Sequence, residues 1–384
     1  PPRSTLFPYT TLFRSIPLSR LLTGVVLTVV PICAVGLFTM TRAERAIDRE
    51  IGSQFQTIAT LTASEVSAFL NERVIAVGTL AADPLILDTV QRSNAAYVGA
   101  NSDIITDRIS RIEKEWNTPA ATARVRDMLG NAASRLLTRW RDRDRRFLRI
   151  TLTDREGAVV AATHKTLDYF QADEDFWQAI FAQGRGAVNI TDVRYDDVTK
   201  SYYIGLGAPV MDESSNTFIG ALDALIEVSN IFPLLHRVDV GPTSRALLVQ
   251  ADGTIIHSPS VNLSMNLKSQ EFIAAREAMD RVSAAERGYA ITTIPGGEAV
   301  VIGYSDIGMH ESFPTLAWTV LLVQDTREAF AATRGVMRMF LFLIAVGLIA
   351  VTLLVVYFSL HRRADYTDIA AARTESQHHA RTSA

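Results

Sequence analysis

The sequence has 384 residues, of which 48% are hydrophobic, and carries a formal net charge of −3 at pH 7. The small negative charge gives no basic field for nucleic acid, so we expect no nucleic-acid partner. The sequence also lacks a glycine-rich phosphate loop, an HExxH motif, a CxxC pair and a nucleophile elbow. We therefore expect no enzymatic activity, no metal and no cofactor. The length allows for two domains.

A mean hydropathy of +0.14 is high for a purely soluble chain. Two uncharged runs, 21–40 and 339–360, explain it. Each is long enough to cross a hydrocarbon core of ~30 Å as a helix, which predicts a two-pass membrane protein. The first run could instead be a cleaved signal peptide. It exceeds the usual h-region of about 7–15 residues and has no small-residue cleavage motif, which favours an uncleaved anchor.

Basic residues lie just outside both runs, at Arg20 and at 361–363. They predict two cytoplasmic ends, although three arginines on the opposite side weaken this signal. The central region would then be periplasmic or extracellular, which suits a two-pass protein of a bacterial inner membrane. The only cysteine, Cys33, lies inside the first run. The exported region is therefore expected to fold without disulfides.

Residues 1–15 resemble a translated sequencing adapter, and we exclude them as an artefactual leader. Apolar residues at three-to-four spacing over 41–84 predict a single stalk helix, with two helices broken at Gly52 as the alternative. The region 85–146 is predicted to be mainly helical. Its arginine-rich end, 139–149, has interleaved aspartates and is typical of a solvated helix end.

The stretch 147–228 predicts a small antiparallel sheet that forms a binding module. Its predicted elements are strands at 147–153, 158–163, 201–210 and 217–228 and a helix at 173–183. Period-two geometry of the last strand places Phe218, Gly220, Leu222, Ala224 and Ile226 on one face and Ile219, Ala221, Asp223, Leu225 and Glu227 on the other. One face is apolar or small, and the other carries two carboxylates.

A similar pattern follows a hinge at 241–242. Its predicted elements are strands at 244–250, 254–257, 288–293, 298–305 and 316–325 and a helix at 270–285. The repeated order of hairpin, helix and further strands suggests an internal duplication. A helix at 326–336 then leads into the second apolar run.

Five stretches of this pattern carry a resemblance to a known family: Asp173-Glu-Asp-Phe-Trp177, Gly205-Leu-Gly-Ala-Pro-Val210, Ile219-Gly220, Ala251-Asp-Gly-Thr-Ile-Ile-His-Ser-Pro259 and Leu316-Ala-Trp-Thr-Val-Leu-Leu-Val-Gln-Asp325. Over 41–336 the chain resembles the double Cache (dCache) extracellular sensors of bacterial transmembrane receptors. The resemblance implies an α+β fold: a long N-terminal stalk helix and two tandem PAS-like antiparallel-sheet modules, flanked by two transmembrane helices. The membrane-distal module would occupy 85–240 and the membrane-proximal module 241–330.

The resemblance also implies that this is the small-molecule sensor region of a chemoreceptor, histidine kinase or diguanylate cyclase, acting as a homodimer. The short cytoplasmic tail, 361–384, shows no kinase, cyclase or methyl-accepting pattern, so we expect the output domain to be missing from this sequence. The alternative is a membrane-anchored binding or structural protein with no signalling output.

In the amino-acid-binding branch of this family, an arginine on the helix after the first hairpin holds the ligand carboxylate, and an aspartate on the last strand takes its amine. Here Glu174 stands at the arginine position and Leu225 stands near the aspartate position. A carboxylate clamp needs a fixed cationic fork, so the resemblance does not favour an α-amino acid.

The remaining candidates share aromatic rings or carboxylates: Tyr169, Glu174, Asp175, Phe176, Trp177, Tyr195, Asp196, Asp197, Tyr203 and Asp223. Aromatic walls with carboxylates attract ammonium groups, so we expect an amine-like ligand. Core packing is the simpler explanation for each aromatic. A helix N-terminus explains Glu174 and Asp175 equally well, and a solvated turn explains Asp196 and Asp197. Asp223 is the least ordinary, because it interrupts an apolar strand.

Overall fold

A computed structural model describes residues 18–196, 201–259, 267–281, 286–331, 333–354 and 356–357. These residues form two compact units. One lies within Gly52–Glu328 and contains both sheets, and the other combines the described residues of the two ends.

Among the described residues, two helices are long and apolar enough to cross a membrane. The first is the N-terminal part of α1 (Leu18–Ala81), which includes the predicted span 21–40. The second covers Thr333–Leu354, within which most of the predicted span 339–360 falls. Helix α1 is not interrupted at Gly52, so the alternative of two helices broken there is wrong.

Four helices follow the stalk and precede the first sheet: α2 (Pro84–Ala95), α3 (Ser102–Glu115), α4 (Thr122–Gly130) and α5 (Ala132–Arg143). Three of them begin at a side-chain cap. Asp83, Asn101 and Asn131 accept a hydrogen bond from a main-chain N–H in the first turn of α2, α3 and α5, respectively. Such caps satisfy N–H groups that have no partner inside the helix and fix where each helix begins.

The first sheet contains six strands: β1 (Phe147–Asp154), β2 (Val159–Ala162), β3 (Asn189–Ile190), β4 (Arg194–Asp196), β5 (Ser201–Asp212) and β6 (Thr217–Glu227). The order is β2-β1-β6-β5-β3, with β4 also paired to β5, and all pairs are antiparallel. Helix α6 (Asp175–Phe181) lies in the β2–β3 connection.

The second sheet contains five strands: β7 (Arg245–Val249), β8 (Ile255–His257), β9 (Arg287–Thr293), β10 (Ala299–Asp306) and β11 (Thr319–Asp325). Helix α7 (Phe232–His236) precedes it, α8 (Gln270–Arg281) connects β8 to β9, and α9 (Thr326–Ala329) follows β11. The order β8-β7-β11-β10-β9 matches that of the first sheet.

The two hairpins share local detail as well as order. Gly157 and Gly253 both have φ +84°, a left-handed conformation that glycine adopts readily. Their carbonyl oxygens accept hydrogen bonds of 2.9 Å from the N–H groups of Gln171 and Ser269, respectively. The repeated contacts agree with the predicted internal duplication.

One core joins the described parts of both sheets to α1. Buried α1 residues such as Val66 and Leu70 belong to the same apolar cluster as Ile150 and Leu222 of the first sheet and Val320 of the second. Burial of such side chains stabilises the fold by about 1.5–3 kcal/mol each. The stalk helix is therefore part of the domain core.

The opposite face of each sheet is covered by its own helix. Phe272 of α8 packs on the second sheet, and Trp177 and Ile180 of α6 form a cluster with Phe218 and Ala221 of the first. The predicted face of Phe218 is therefore wrong. The β5–β6 register shifts between Val210 and Met211, a bulge that turns Phe218 to the face of Ala221.

Candidate ligand-binding site

A cavity of about 200 Å³ lies on the α6 side of the first sheet. It is lined by Arg149, Thr166, Leu167, Asp168, Gln171, Glu174, Phe176, Thr191, Arg194, Tyr195, Tyr203, Gly205, Asp223 and Leu225. Most of these residues are polar or charged. The cavity therefore suits a small polar solute.

Three neighbouring strands form the cavity floor. Asp223 of β6 is only 7% exposed. It pairs across the sheet with Thr151, two positions along each strand from the pair Arg149–Leu225, and with Gly207 of β5. A Cβ atom on Gly205 would lie 3.5 Å from Asp223 Oδ1 and 3.0 Å from Thr191 Oγ1. Glycine at this position thus keeps the floor open above the carboxylate.

The segment 166–174 forms one wall, and the end of α3 holds it. The carboxylate of Glu113 accepts hydrogen bonds from the N–H groups of Tyr169 and Phe170 at 2.7 and 2.8 Å. Trp116 Nε1–H donates to the carbonyl of Thr166 at 3.0 Å. These bonds fix a loop that has no regular secondary structure, so the wall is preorganised.

Thr191 and Arg194 form the opposite wall. Thr191 exchanges two hydrogen bonds with Gly205: its N–H donates to the Gly205 carbonyl at 2.9 Å, and its Oγ1 accepts from the Gly205 N–H at 2.8 Å. The exposed guanidinium of Arg194 lies 3.9 Å from the carboxylate of Asp175. This wall thus combines a hydroxyl held by a hydrogen bond with an exposed cation.

Carboxylates dominate the electrostatics of the loop wall. Partial burial raises the pKa of Glu174 above its usual value, and the nearby charges of Asp168 and Asp173 raise it further. The pKa of Asp168 is also raised, first by burial and then by Glu113, against a hydrogen bond from Gln171. Carboxyl groups that raise one another's pKa mark a region of negative potential.

The structure brings five of the predicted site residues to the cavity: Glu174, Phe176, Tyr195, Tyr203 and Asp223. Three others lie elsewhere because each has a different role. Tyr169 packs on Trp116 with ring centroids 5.1 Å apart, and Trp177 is buried in the α6 cluster and donates to Thr153 Oγ1 at 2.9 Å. Asp175 is the exposed first residue of α6. Asp197 lies outside the described residues.

Several lining residues were missed at the level of sequence, foremost Arg149 and Arg194. Arg149 was predicted to be part of a solvated helix end, but α5 ends at Arg143, and Arg149 is a half-buried residue of β1. The period of two along β1 could have placed it on the face of Thr151. The loop residues Asp168 and Gln171 carry no comparable periodic signal.

The family model of the Cache domain, of the dCache type, matches residues 43–333. The chain belongs to the Cache domain family. No protein among the curated proteins matches it. The predicted α+β architecture, with a long N-terminal helix and two antiparallel sheets, is confirmed.

Solved structures that resemble this Cache chain include bacterial receptor domains. One is the ligand-binding domain of the Pseudomonas aeruginosa PAO1 amino acid chemoreceptor PctB, in complex with L-Arg. It is 15% identical to this chain and has a TM-score of 0.45, and the match covers 73% of this chain and 98% of that chain. Another is the ligand-binding domain of the Pseudomonas fluorescens chemoreceptor CtaA, in complex with L-leucine. It is 15% identical and has a TM-score of 0.46, and the match covers 74% of this chain and 99% of that chain. A third is the extracellular domain of mmHK1S-Z2, described as a histidine kinase. It is 12% identical and has a TM-score of 0.48, and the match covers 72% of this chain and 98% of that chain.

Membership of the Cache family makes the chain a sensory ligand-binding domain, which supports the sensor interpretation over that of a structural anchor. Cache domains of this type are extracellular in membrane receptors, and two apolar helices flank this one. Within the described residues, no group of three or more His, Cys, Asp or Glu side chains could hold a metal ion.

Proposed function

We propose that the Cache pocket binds a small solute with an ammonium group, and that Asp223 is its main partner. The observation that carries this proposal is a carboxylate only 7% exposed on the floor of a polar cavity. Asp168 and Glu174 add negative charge at the wall, and Phe176, Tyr195 and Tyr203 supply aromatic surface. Ammonium groups favour such mixed surroundings of carboxylates and ring faces.

A zwitterion with separate ammonium and carboxylate groups is the second candidate. Arg149 and Arg194 also line the cavity, so a ligand carboxylate could approach a guanidinium while its ammonium group lies at Asp223. A guanidinium fork matches a carboxylate in geometry as well as charge. This feature supports amino-acid-like ligands, which the resemblance alone did not favour.

Four matched probes separate these candidates: butylamine, 1,4-diaminobutane, 4-aminobutanoate and butanoate. A ligand that binds only the folded state raises the melting temperature, and at one hundred times Kd it adds about 2.7 kcal/mol. The full chain in detergent is screened with each probe. If the ammonium group dominates, the two amines stabilise the protein and butanoate does not.

Stabilisation by 4-aminobutanoate alone would support the zwitterion. A hit that Asp223→Asn abolishes places the ligand in this cavity, whereas one lost with Trp177→Ala but kept with Asp223→Asn places it elsewhere. Stabilisation by butanoate alone would contradict both candidates.

We also propose a two-pass topology in a bacterial inner membrane, with module 85–240 distal to the membrane, module 241–330 proximal and the central region periplasmic. The two apolar helices at either side of the Cache domain support it. Cys33 is the only cysteine, so a Cys33→Ser, Glu115→Cys variant carries one exposed thiol on α3. A membrane-impermeant maleimide should label it in cells with an opened outer membrane. Labelling only after lysis would contradict the topology.

A homodimer is proposed from the stalk. Leu61 and Ile75 of α1 are 61% and 68% exposed, and Ala68 lies midway between them. Seven-residue spacing of exposed apolar residues is typical of a parallel coiled-coil seam. In a Cys33→Ser background, Ala68→Cys should form a crosslinked dimer, and Glu213→Cys in the β5–β6 turn should not. Equal crosslinking at both positions, or none at Ala68→Cys, would contradict this seam.

A further inference from the structure

A short edge strand next to the pocket is bonded to the second module. Thr191 lines the cavity, and it follows β3, which pairs with β5 at only two residues, Asn189 and Ile190. The hydrogen bonds between Thr191 and Gly205 continue this pairing into the pocket wall. Short edge pairings are among the easiest parts of a sheet to displace.

Both chain neighbours of Thr191 accept hydrogen bonds from the β10–β11 connection. Thr315 Oγ1–H donates to the carbonyl of Ile190 at 2.6 Å. Trp318 Nε1–H donates to Asp192 Oδ1 at 2.9 Å. Ile190 and Trp318 are fully buried, Asp192 is half-buried and Thr315 is exposed, so the two bonds lie where the core meets the surface.

Apolar contacts reinforce these bonds. Met309 and Leu316 of the connection belong to the same buried cluster as Ile190 and Val193. A close-packed core of this kind transmits a displacement instead of absorbing it.

The connection continues along the chain into β11 and α9. Trp318 immediately precedes β11, the central strand of the second sheet, and α9 begins where β11 ends. From Trp318 the chain runs through β11 and α9 to residue 333, where the match to the Cache family ends, so a change at Thr191 has a short path to the end of the domain.

We propose that Thr315 and Trp318 are positioning residues for the ligand pocket, and that they couple the Thr191 wall to β11. The coupling has a signalling role only if the pocket binds a ligand as proposed above. The coupling between the Thr191 wall and β11 can be measured without any ligand. The proposed coupling and the proposed ligand binding can therefore fail independently.

The test is hydrogen–deuterium exchange of the full chain in detergent, with no ligand added. Thr315→Val keeps the side-chain shape and removes the donor to Ile190. We expect about fivefold faster exchange in peptides covering Thr191 and Gly205, the effect of one lost hydrogen bond on local opening. Trp318→Phe should act in the same direction.

Thr326→Val is the matched control, because the hydroxyl of Thr326, at the start of α9, donates to the carbonyl of Ala299 in β10 at 3.0 Å. It should leave exchange at Thr191 unchanged. Coupling is reciprocal, so Thr191→Val should speed exchange at residues 313–318. The proposal is overturned if Thr315→Val changes only second-module peptides, if the control gives the same effect, or if Thr191→Val leaves 313–318 unchanged. Should Trp318→Phe not fold, Thr315→Val and Thr191→Val still decide.

Discussion

Asp223 and Arg149 are diagonal neighbours on one face of the first sheet, and both line the pocket. The β1–β6 register pairs Asp223 with Thr151 and Arg149 with Leu225, so the carboxylate and the guanidinium stand one diagonal apart. Side chains at such positions lie within reach of one another when they are long. The floor of the pocket therefore offers both signs of charge to one small ligand.

Asp223→Asn should weaken binding of whichever amine probe stabilises the protein. The substitution keeps the size of the side chain and removes its charge. A hydrogen bond to a charged group contributes about 1.5–3 kcal/mol, so we expect Kd to rise about 10- to 100-fold. Isothermal titration measures it. Asp175→Asn, outside the cavity, is the control and should change Kd little; an equal effect of both variants would contradict the role of Asp223.

Glu113→Ala should loosen the loop wall without touching the pocket. It removes the acceptor of the Tyr169 and Phe170 N–H groups, so exchange of these amides should rise about tenfold. The probe should bind more weakly, because binding must then order the loop. Glu113→Gln keeps an acceptor oxygen and should largely restore both readouts. Glu115→Ala, with an exposed side chain two residues away, should change neither.

Amine binding should weaken as the pH falls, and the decline should begin above the usual pKa of a glutamate. The pKa values of Glu174 and Asp168 are raised, so these groups take up protons earlier than exposed carboxyls do. A protonated carboxyl no longer attracts an ammonium group, and affinity should be constant at pH values where both are ionised. Titrations of butylamine between about pH 7 and 4 measure the onset. Glu174→Gln should move the onset of this loss of affinity to lower pH. An unchanged dependence of affinity on pH would show that Glu174 is not the titrating group.

The strands were predictable from sequence, because alternation of apolar residues and glycine turns act locally. The prediction of 217–228 agrees closely with β6, and Leu222, Ala224 and Ile226 lie in the shared core as expected. The period of two failed at Phe218, because a bulge depends on the partner strand.

The site was predictable only where it lies on a strand or at a helix start. Asp223 was found because it interrupts an apolar run. Asp168 and Gln171 lie on a loop whose path is set by hydrogen bonds to Glu113 and Trp116. These two residues come about 50 positions earlier in the sequence than the loop residues they bind. Trp177 belongs to a residue type that is common in ligand-binding sites. In this protein it packs against Phe218 in the α6 cluster and does not line the cavity. Long-range contacts of this kind are invisible to a periodicity argument.

His257 should make the second module lose stability in mild acid. It is 7% exposed, stacks on Phe232 with ring centroids 4.3 Å apart and lies 4.8 Å from the ring of His236. Its Nε2 has no hydrogen-bond partner within the described part of the chain. Burial, with a smaller contribution from the charge of His236, lowers its pKa from 6.5 to about 4.

Because the folded-state pKa is the lower one, the unfolded chain binds the proton first as the pH falls. The stabilisation is fully present above pH 6.5, declines from there towards pH 4 and changes no further below it. The loss is on the order of 3 kcal/mol. Melting temperatures of the full chain at a series of pH values measure it. The stability of His257→Leu should decline less between pH 6.5 and 4 than that of the native chain. Identical slopes for the native chain and His257→Leu would show that His257 is not the titrating group.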